Sequence, residues 1–158
     1  MTDVIIARAL HVLGVVIWIG GVWMVTAAVL PGLRRGEFGA DRLAALHAIQ
    51  SRFAWQARSA VLVVGATGLY MAWRLDLWSR FESLQFWWMH AMVLVWTLFA
   101  FALFIAEPFI VHRHFAQLAA RQPELAFRRL HRAHWVLLVL SLVTIFGAMA
   151  GSRGWSIF

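Results

Sequence analysis

The chain has 158 residues, of which 63% are hydrophobic and only 13% charged, and it carries a formal net charge of +7. That charged share is about half the roughly 25% of an ordinary soluble domain, so a soluble globular enzyme is excluded and an integral membrane protein is expected. Cysteine and lysine are both absent and all 14 basic residues are arginines, which excludes disulfides, thiolate metal sites, cysteine nucleophiles and any chemistry of a lysine amine.

A span needs about 20 mostly apolar residues to cross the hydrocarbon core. The first such stretch is 4–30, with His11, Gly14, Trp18, Gly20 and Gly21 set among aliphatic residues. It lacks a basic leader and a small-residue cleavage site, so it reads as a span and not as a signal peptide. The segment 31–52 carries Arg34, Arg35, Arg42 and Arg52. Within it, 37–51 reads as a short amphipathic helix with Leu43, Ala45, Leu46 and Ile49 as its apolar stripe.

The second span, 53–73, holds Gly65 and Gly68, with Arg58 about one turn inside. A short loop with Arg74 and Arg80 leads to the third span, 86–106, which has His90 near its start and Glu107 at its close. Arg58 and Glu107 fall at one depth, and an ion pair would satisfy both charges. The next segment carries Arg113, Arg121, Arg128, Arg129 and Arg132. Its part 117–132 reads as a second amphipathic stretch, interrupted at Pro123. The fourth span is 134–151, with Gly147 and Gly151.

Arginine-rich loops stay in the cytoplasm. Both termini and the 74–85 loop then face outward, into the periplasm of a Gram-negative bacterium. Trp73, Trp78, Trp87, Trp88 and Trp155 would form the outer aromatic belt. The expected architecture is a single membrane domain over 1–158, an all-α, four-transmembrane-helix, up-down-up-down bundle in the bacterial inner membrane. The arginines are read as topological signals and not as a nucleic-acid surface.

His11 and His90 lie on spans that run the same way. At about 1.5 Å per residue both imidazoles fall roughly 6–10 Å below the outer surface. Two imidazoles at one depth on facing helices are what the axial ligation of one haem requires. Gly14 and Trp18 lie near the His11 face, small residues leave room for a flat macrocycle, and Arg8 could pair with a propionate. The alternative for His11 is a structural hydrogen bond to a neighbouring helix, and for Arg8 an interface anchor.

The other histidines, His47, His112, His114, His131 and His134, gather on the arginine-rich side. They read first as polar residues beside a basic loop. A second haem or a metal site there would use His134 with His47 or His112.

Leu10-His11 followed by Trp18-x-Gly20-Gly21 resembles the first span of the copper-resistance D family and of the haem-b-type membrane protoporphyrinogen oxidase. Arg52-Phe53 and Thr67-Gly68-Leu69-Tyr70 are similar to the copper-resistance family, and Trp88-Met89-His90-Ala91 to the start of the oxidase's third span. Both families usually carry a lysine in that span. The position two residues after the histidine is Met92 here, which sets protoporphyrinogen oxidation itself apart from what the resemblance implies. It implies a four-span membrane protein associated with haem b or copper.

Three functions follow as expectations. The first is a haem-b redox protein, with one haem or two, passing electrons between a quinone-type membrane partner and a periplasmic partner. The second is copper binding or transport, using histidine and Met24, Met71, Met89, Met92 and Met149. The third is a non-catalytic anchor or assembly subunit of a larger membrane complex, presenting Phe99, Phe101 and Phe104.

Overall fold

In a computed structural model of the chain, the regular elements among the described residues are all helical. The structure describes residues 1–39 and 41–155, without the side chains of 108–114 and 116. Helix α1 (Thr2–Met24) runs through a π-helical turn (Val25–Val29) into α2 (Leu30–Arg35). Gly36 then stops it with φ +78°, the left-handed conformation that glycine adopts at least cost. Helix α3 (Arg42–Arg74) follows, then two 3₁₀ turns (Trp78–Glu82 and Leu84–Phe86) and α4 (Trp87–Phe101). A second π-helical segment (Ala102–Val111) leads to α5 (His112–Arg121), and the long α6 (Pro123–Gly151) closes the chain.

Among the described residues, three helical stretches are long and apolar enough to cross a membrane: Thr2–Arg35, Leu84–Glu107 and Pro123–Gly151. Many of their large apolar side chains face outward, Ile5, Val16, Leu94 and Phe146 among them, as lipid contact requires. Helix α3 has 33 residues, but its first half carries Gln50, Arg52, Gln56 and Arg58.

The expected amphipathic segment 37–51 is not a separate surface helix. Asp41 caps α3 by accepting from the Ala44 amide at 2.9 Å. No proline interrupts 42–74 and the first glycine is Gly65, so the helix continues unbroken into the expected second span. Its stripe meets protein: Leu46, Ala45 and Ile49 pack with Val25, Val29, Leu30, Leu33 and Phe127. The helix that carries the expected fourth span likewise begins earlier than 134, because Pro123 sits in the first turn of α6, where its missing N–H costs nothing.

The four long helices pack antiparallel in a ring. Asp3, His11, Gly14 and Gly21 of α1 meet Arg74, Thr67, Val64 and Phe53 of α3. The start of α4 meets the end of α6 through Trp87 and Trp88. Helix α3 reaches α4 through the Trp96 indole, which donates to the Val61 carbonyl at 2.9 Å, and α1 reaches α6 at Thr26 and His131. The central core is Trp18, Ile19, Val22, Ala60, Val61, Val64, Val95, Phe99 and Leu138. Phe99 therefore does not belong to an exposed aromatic face. It is buried edge-on to Trp18, with ring centroids 4.8 Å apart, while Phe101 and Phe104 are exposed.

The glycines are notches for neighbouring side chains. A Cβ at Gly65 would lie 2.6 Å from Trp96, at Gly147 2.3 Å from Trp87, and at Gly151 2.4 Å from Trp88. Small residues at such crossings let helices approach closely. Trp88 is accordingly buried, whereas Trp73, Trp78 and Trp155 stay exposed, as interfacial tryptophans would be.

Both π-helical segments share one cause. A π-helix bonds each amide to the carbonyl five residues back, as Leu30 does to Val25. Pro31 stands five residues after Thr26, and Pro108 five after Leu103. Proline has no N–H, so each of those carbonyls loses its donor. A side chain from the next helix replaces it in both cases: His131 Nε2 on α6 donates to the Thr26 carbonyl at 3.0 Å, and Arg58 Nε on α3 donates to the Leu103 carbonyl at 3.2 Å. Exchanging α1 with α4 and α3 with α6 maps one arrangement onto the other. In this one contact the two helix pairs are pseudo-equivalent halves.

Candidate functional site

His11 sits one-third of the way along the first apolar rod, on the face turned to α3. Its Nδ1 lies 3.1 Å from Thr67 Oγ1, and its ring covers Gly68, where a Cβ would come within 3.2 Å of Cε1. The hydrogen-bond roles can be assigned. Thr67 gives its single hydroxyl hydrogen to the Val63 carbonyl at 2.6 Å. The hydroxyl must then accept from His11, so Nδ1 carries the ring hydrogen and Nε2 keeps a free lone pair. Among the described residues nothing hydrogen-bonds to that Nε2. Thr67 and Gly68 are thus functional neighbours that a search for titratable side chains passes over, although both lie on the expected second span at the depth of His11.

His90 is held differently. Its Nε2 lies 3.0 Å from the Phe81 carbonyl and its Nδ1 3.4 Å from the Phe86 carbonyl. The shorter bond places the hydrogen on Nε2, and the ring stacks edge-on to Phe81 at 5.4 Å. His90 ties the 3₁₀ segment to the start of α4. The structure makes no hydrogen bond between His11 and His90 and gives them opposite tautomers.

The other predicted residues spread around this site. Gly14 is buried against α3, where a Cβ would lie 2.8 Å from the Val64 side chain. Trp18 is buried two turns along from His11, and its indole N–H has no acceptor among the described residues. Arg8 is exposed. At the end of the α1–α3 interface nearest to it, Asp3 accepts from the Tyr70 hydroxyl at 2.7 Å and from Arg74 Nε at 3.2 Å. This network clamps the two helices beside His11.

At the arginine-rich end, Arg58 and Glu107 form the expected pair, with Nη2 to Oε2 at 3.2 Å. His134 Nδ1 donates to the Leu130 carbonyl at 3.0 Å, an intrahelical contact. His47 is half-buried on α3. The side chains of His112 and His114 lie outside the described residues, so a site built on them is not described. No group of three or more histidine, aspartate or glutamate side chains among the described residues is arranged to hold a metal ion.

Fold and site together define, among the described residues, an all-helical arrangement with helices apolar enough to cross a membrane and an imidazole held at a helix–helix interface. No protein-family model, curated protein or solved structure matches the chain.

Proposed function

We propose that the chain is a four-span haem-b-binding redox protein of the bacterial inner membrane, with His11 as an axial ligand of the iron. It would exchange electrons between a quinone-type membrane partner and a periplasmic partner. The observation that supports this reading is the 3.1 Å contact of His11 Nδ1 with Thr67 Oγ1, which assigns the ring hydrogen to Nδ1. Haem iron binds a neutral imidazole nitrogen, and a hydrogen bond at the other ring nitrogen orients the ligand and raises its basicity. Thr67 is that second partner. The residues fit the group at His11. They do not fit it at His90 in this arrangement, because His90 Nε2 spends its hydrogen on the Phe81 carbonyl. His90 could serve as the second ligand only after the 78–86 segment releases it.

When bound, haem b supplies a one-electron iron couple. The chain's own residues do the rest. Thr67 holds the Nδ1 hydrogen in place. His11 itself is half-buried at the α1–α3 interface. The Trp18 N–H offers a buried donor to a polar group entering the core. On this reading the arginines of α2, α5 and the starts of α3 and α6 mark the cytoplasmic side by the positive-inside rule, with both termini on the other side.

The test is a dithionite-reduced minus air-oxidised spectrum of detergent-purified protein from its native membrane, with pyridine-haemochrome and metal quantitation. The parent should show sharp reduced α and Soret bands, and His11→Ala should abolish them. A normal spectrum in His11→Ala would sink the assignment, and copper bound without haem would replace it with copper handling.

A further inference from the structure

The cluster of Arg34, His131 and Trp135 presents more hydrogen-bond donors than its imidazole can accept. His131 Nε2 lies 3.0 Å from the Thr26 carbonyl that Pro31 leaves without a donor. A carbonyl only accepts, so Nε2 carries the hydrogen. Nδ1 then accepts from Arg34 Nη1 at 3.3 Å. The Trp135 indole N–H lies 2.9 Å from the same Nε2, which has no lone pair left for it. The opposite tautomer would satisfy Trp135 alone, strand the Thr26 carbonyl and turn an N–H toward a guanidinium. Protonating the ring would leave both Arg34 and Trp135 facing N–H groups. One donor is surplus in every protonation state.

The charges point the same way. In the pseudo-equivalent half, the cation that serves the stranded carbonyl has its own anion, since Arg58 pairs with Glu107. Arg34 has no carboxylate partner among the described residues. The acids beside it are already engaged, Glu37 by Arg35 and Glu124 by Arg42. Arg34 also lines an open pocket of about 310 Å³ with Pro31, Arg35 and Glu124. That volume is at the lower end of ligand-pocket sizes, about 300–1,000 Å³.

We infer that Arg34 and the surplus Trp135 N–H, which flank His131 at the α2–α6 junction, bind the oxyanion of a phosphate group beside this pocket. An arginine fork with a second N–H suits a phosphate, and basic pockets between membrane helices are where anionic headgroups dock. The phosphate comes either from an anionic lipid or from a soluble phosphate, and the site is independent of whether His11 binds haem.

The experiment is native mass spectrometry of the detergent-solubilised full chain. The protein is mixed with equal amounts of phosphatidylglycerol and phosphatidylcholine and then titrated with inorganic phosphate. The parent should retain phosphatidylglycerol selectively. Arg34→Gln should lower that retention about tenfold, the loss of one charge-assisted bond, and Trp135→Phe should lower it severalfold. Arg153→Gln, on an exposed arginine at the far end, should leave it unchanged. Lipid retained against millimolar phosphate assigns the lipid source. Phosphate that binds the parent, displaces the lipid and is lost in Arg34→Gln assigns the soluble one. Equal retention of both lipids with no phosphate binding overturns the site. So does a phosphatidylglycerol preference that survives both substitutions in protein of parental helical circular dichroism.

Discussion

Thr67 has one hydroxyl hydrogen and gives it to its own helix, and that local choice decides what His11 can do one helix away. Replacing Thr67 with valine keeps the shape and removes the acceptor. The expected outcome is a His11 ring that no longer holds its hydrogen on Nδ1, read by ¹⁵N NMR of histidine-labelled protein as a shift from one tautomer to a mixture. Thr67→Ser should restore the single tautomer. The stability cost of Thr67→Val should be about 1 kcal/mol, the usual worth of one internal hydrogen bond. The tautomer is readable with or without haem, so the measurement separates the geometry of the site from its cofactor. A parental tautomer in Thr67→Val would show that Thr67 does not fix it.

Helices meet in this protein where a glycine on one receives a ring from the next. Gly65 and Gly20 make a matched pair for testing this. A Cβ at Gly65 would meet Trp96 at 2.6 Å, whereas one at Gly20 meets nothing within 4 Å. Gly65→Ala should lose about 1–3 kcal/mol through overpacking. Gly20→Ala should be neutral or gain up to about 1 kcal/mol from helix propensity. Unfolding in detergent checks both. The proline-stranded carbonyls give a second test at this scale. His131→Ala should cost about 1–3 kcal/mol, because it leaves the Thr26 carbonyl buried without a donor. In a Pro31→Ala background the restored amide can take that role and the cost should shrink. Additive effects in the double mutant would refute the link between Pro31 and His131.

Among the described residues three helical stretches are apolar enough to cross a membrane, and α3 decides whether there is a fourth crossing. Its length of 33 residues is about 50 Å at 1.5 Å per residue, more than the roughly 30 Å hydrocarbon core. Its arginines lie toward its two ends, Arg42 and Arg52 at one and Arg74 at the other, and at Arg58, which pairs with Glu107. Because the chain has no cysteine, single cysteines report sidedness without background. With four crossings, Ser79→Cys and Ser152→Cys label from one side of sealed vesicles and Phe38→Cys from the other. Should Phe38→Cys and Ser79→Cys label from the same side, α3 does not cross, and the four-span reading is lost.

Composition alone determined that this chain is helical and lipid-facing. A hydrophobic share of 63% in long uninterrupted runs leaves hydrogen-bonded helices as the way to bury so much backbone. Hydropathy also located the helix ends near 4, 73, 86 and 151 to within a turn, and equal depth was enough to anticipate the Arg58–Glu107 pair. Three features came only from the tertiary structure. Periodicity does not say that a stripe such as Leu46 and Ile49 meets Phe127 instead of lipid, since both solvents are apolar. A glycine in the sequence does not reveal which ring will fill it, as Trp96 fills Gly65. Nor does an expected depth reveal what a ring nitrogen touches: His11 and His90 are expected at one level, yet Thr67 holds one by Nδ1 while Phe81 occupies Nε2 of the other. A tautomer is set by contacts at about 3 Å, and those exist only once the helices have packed.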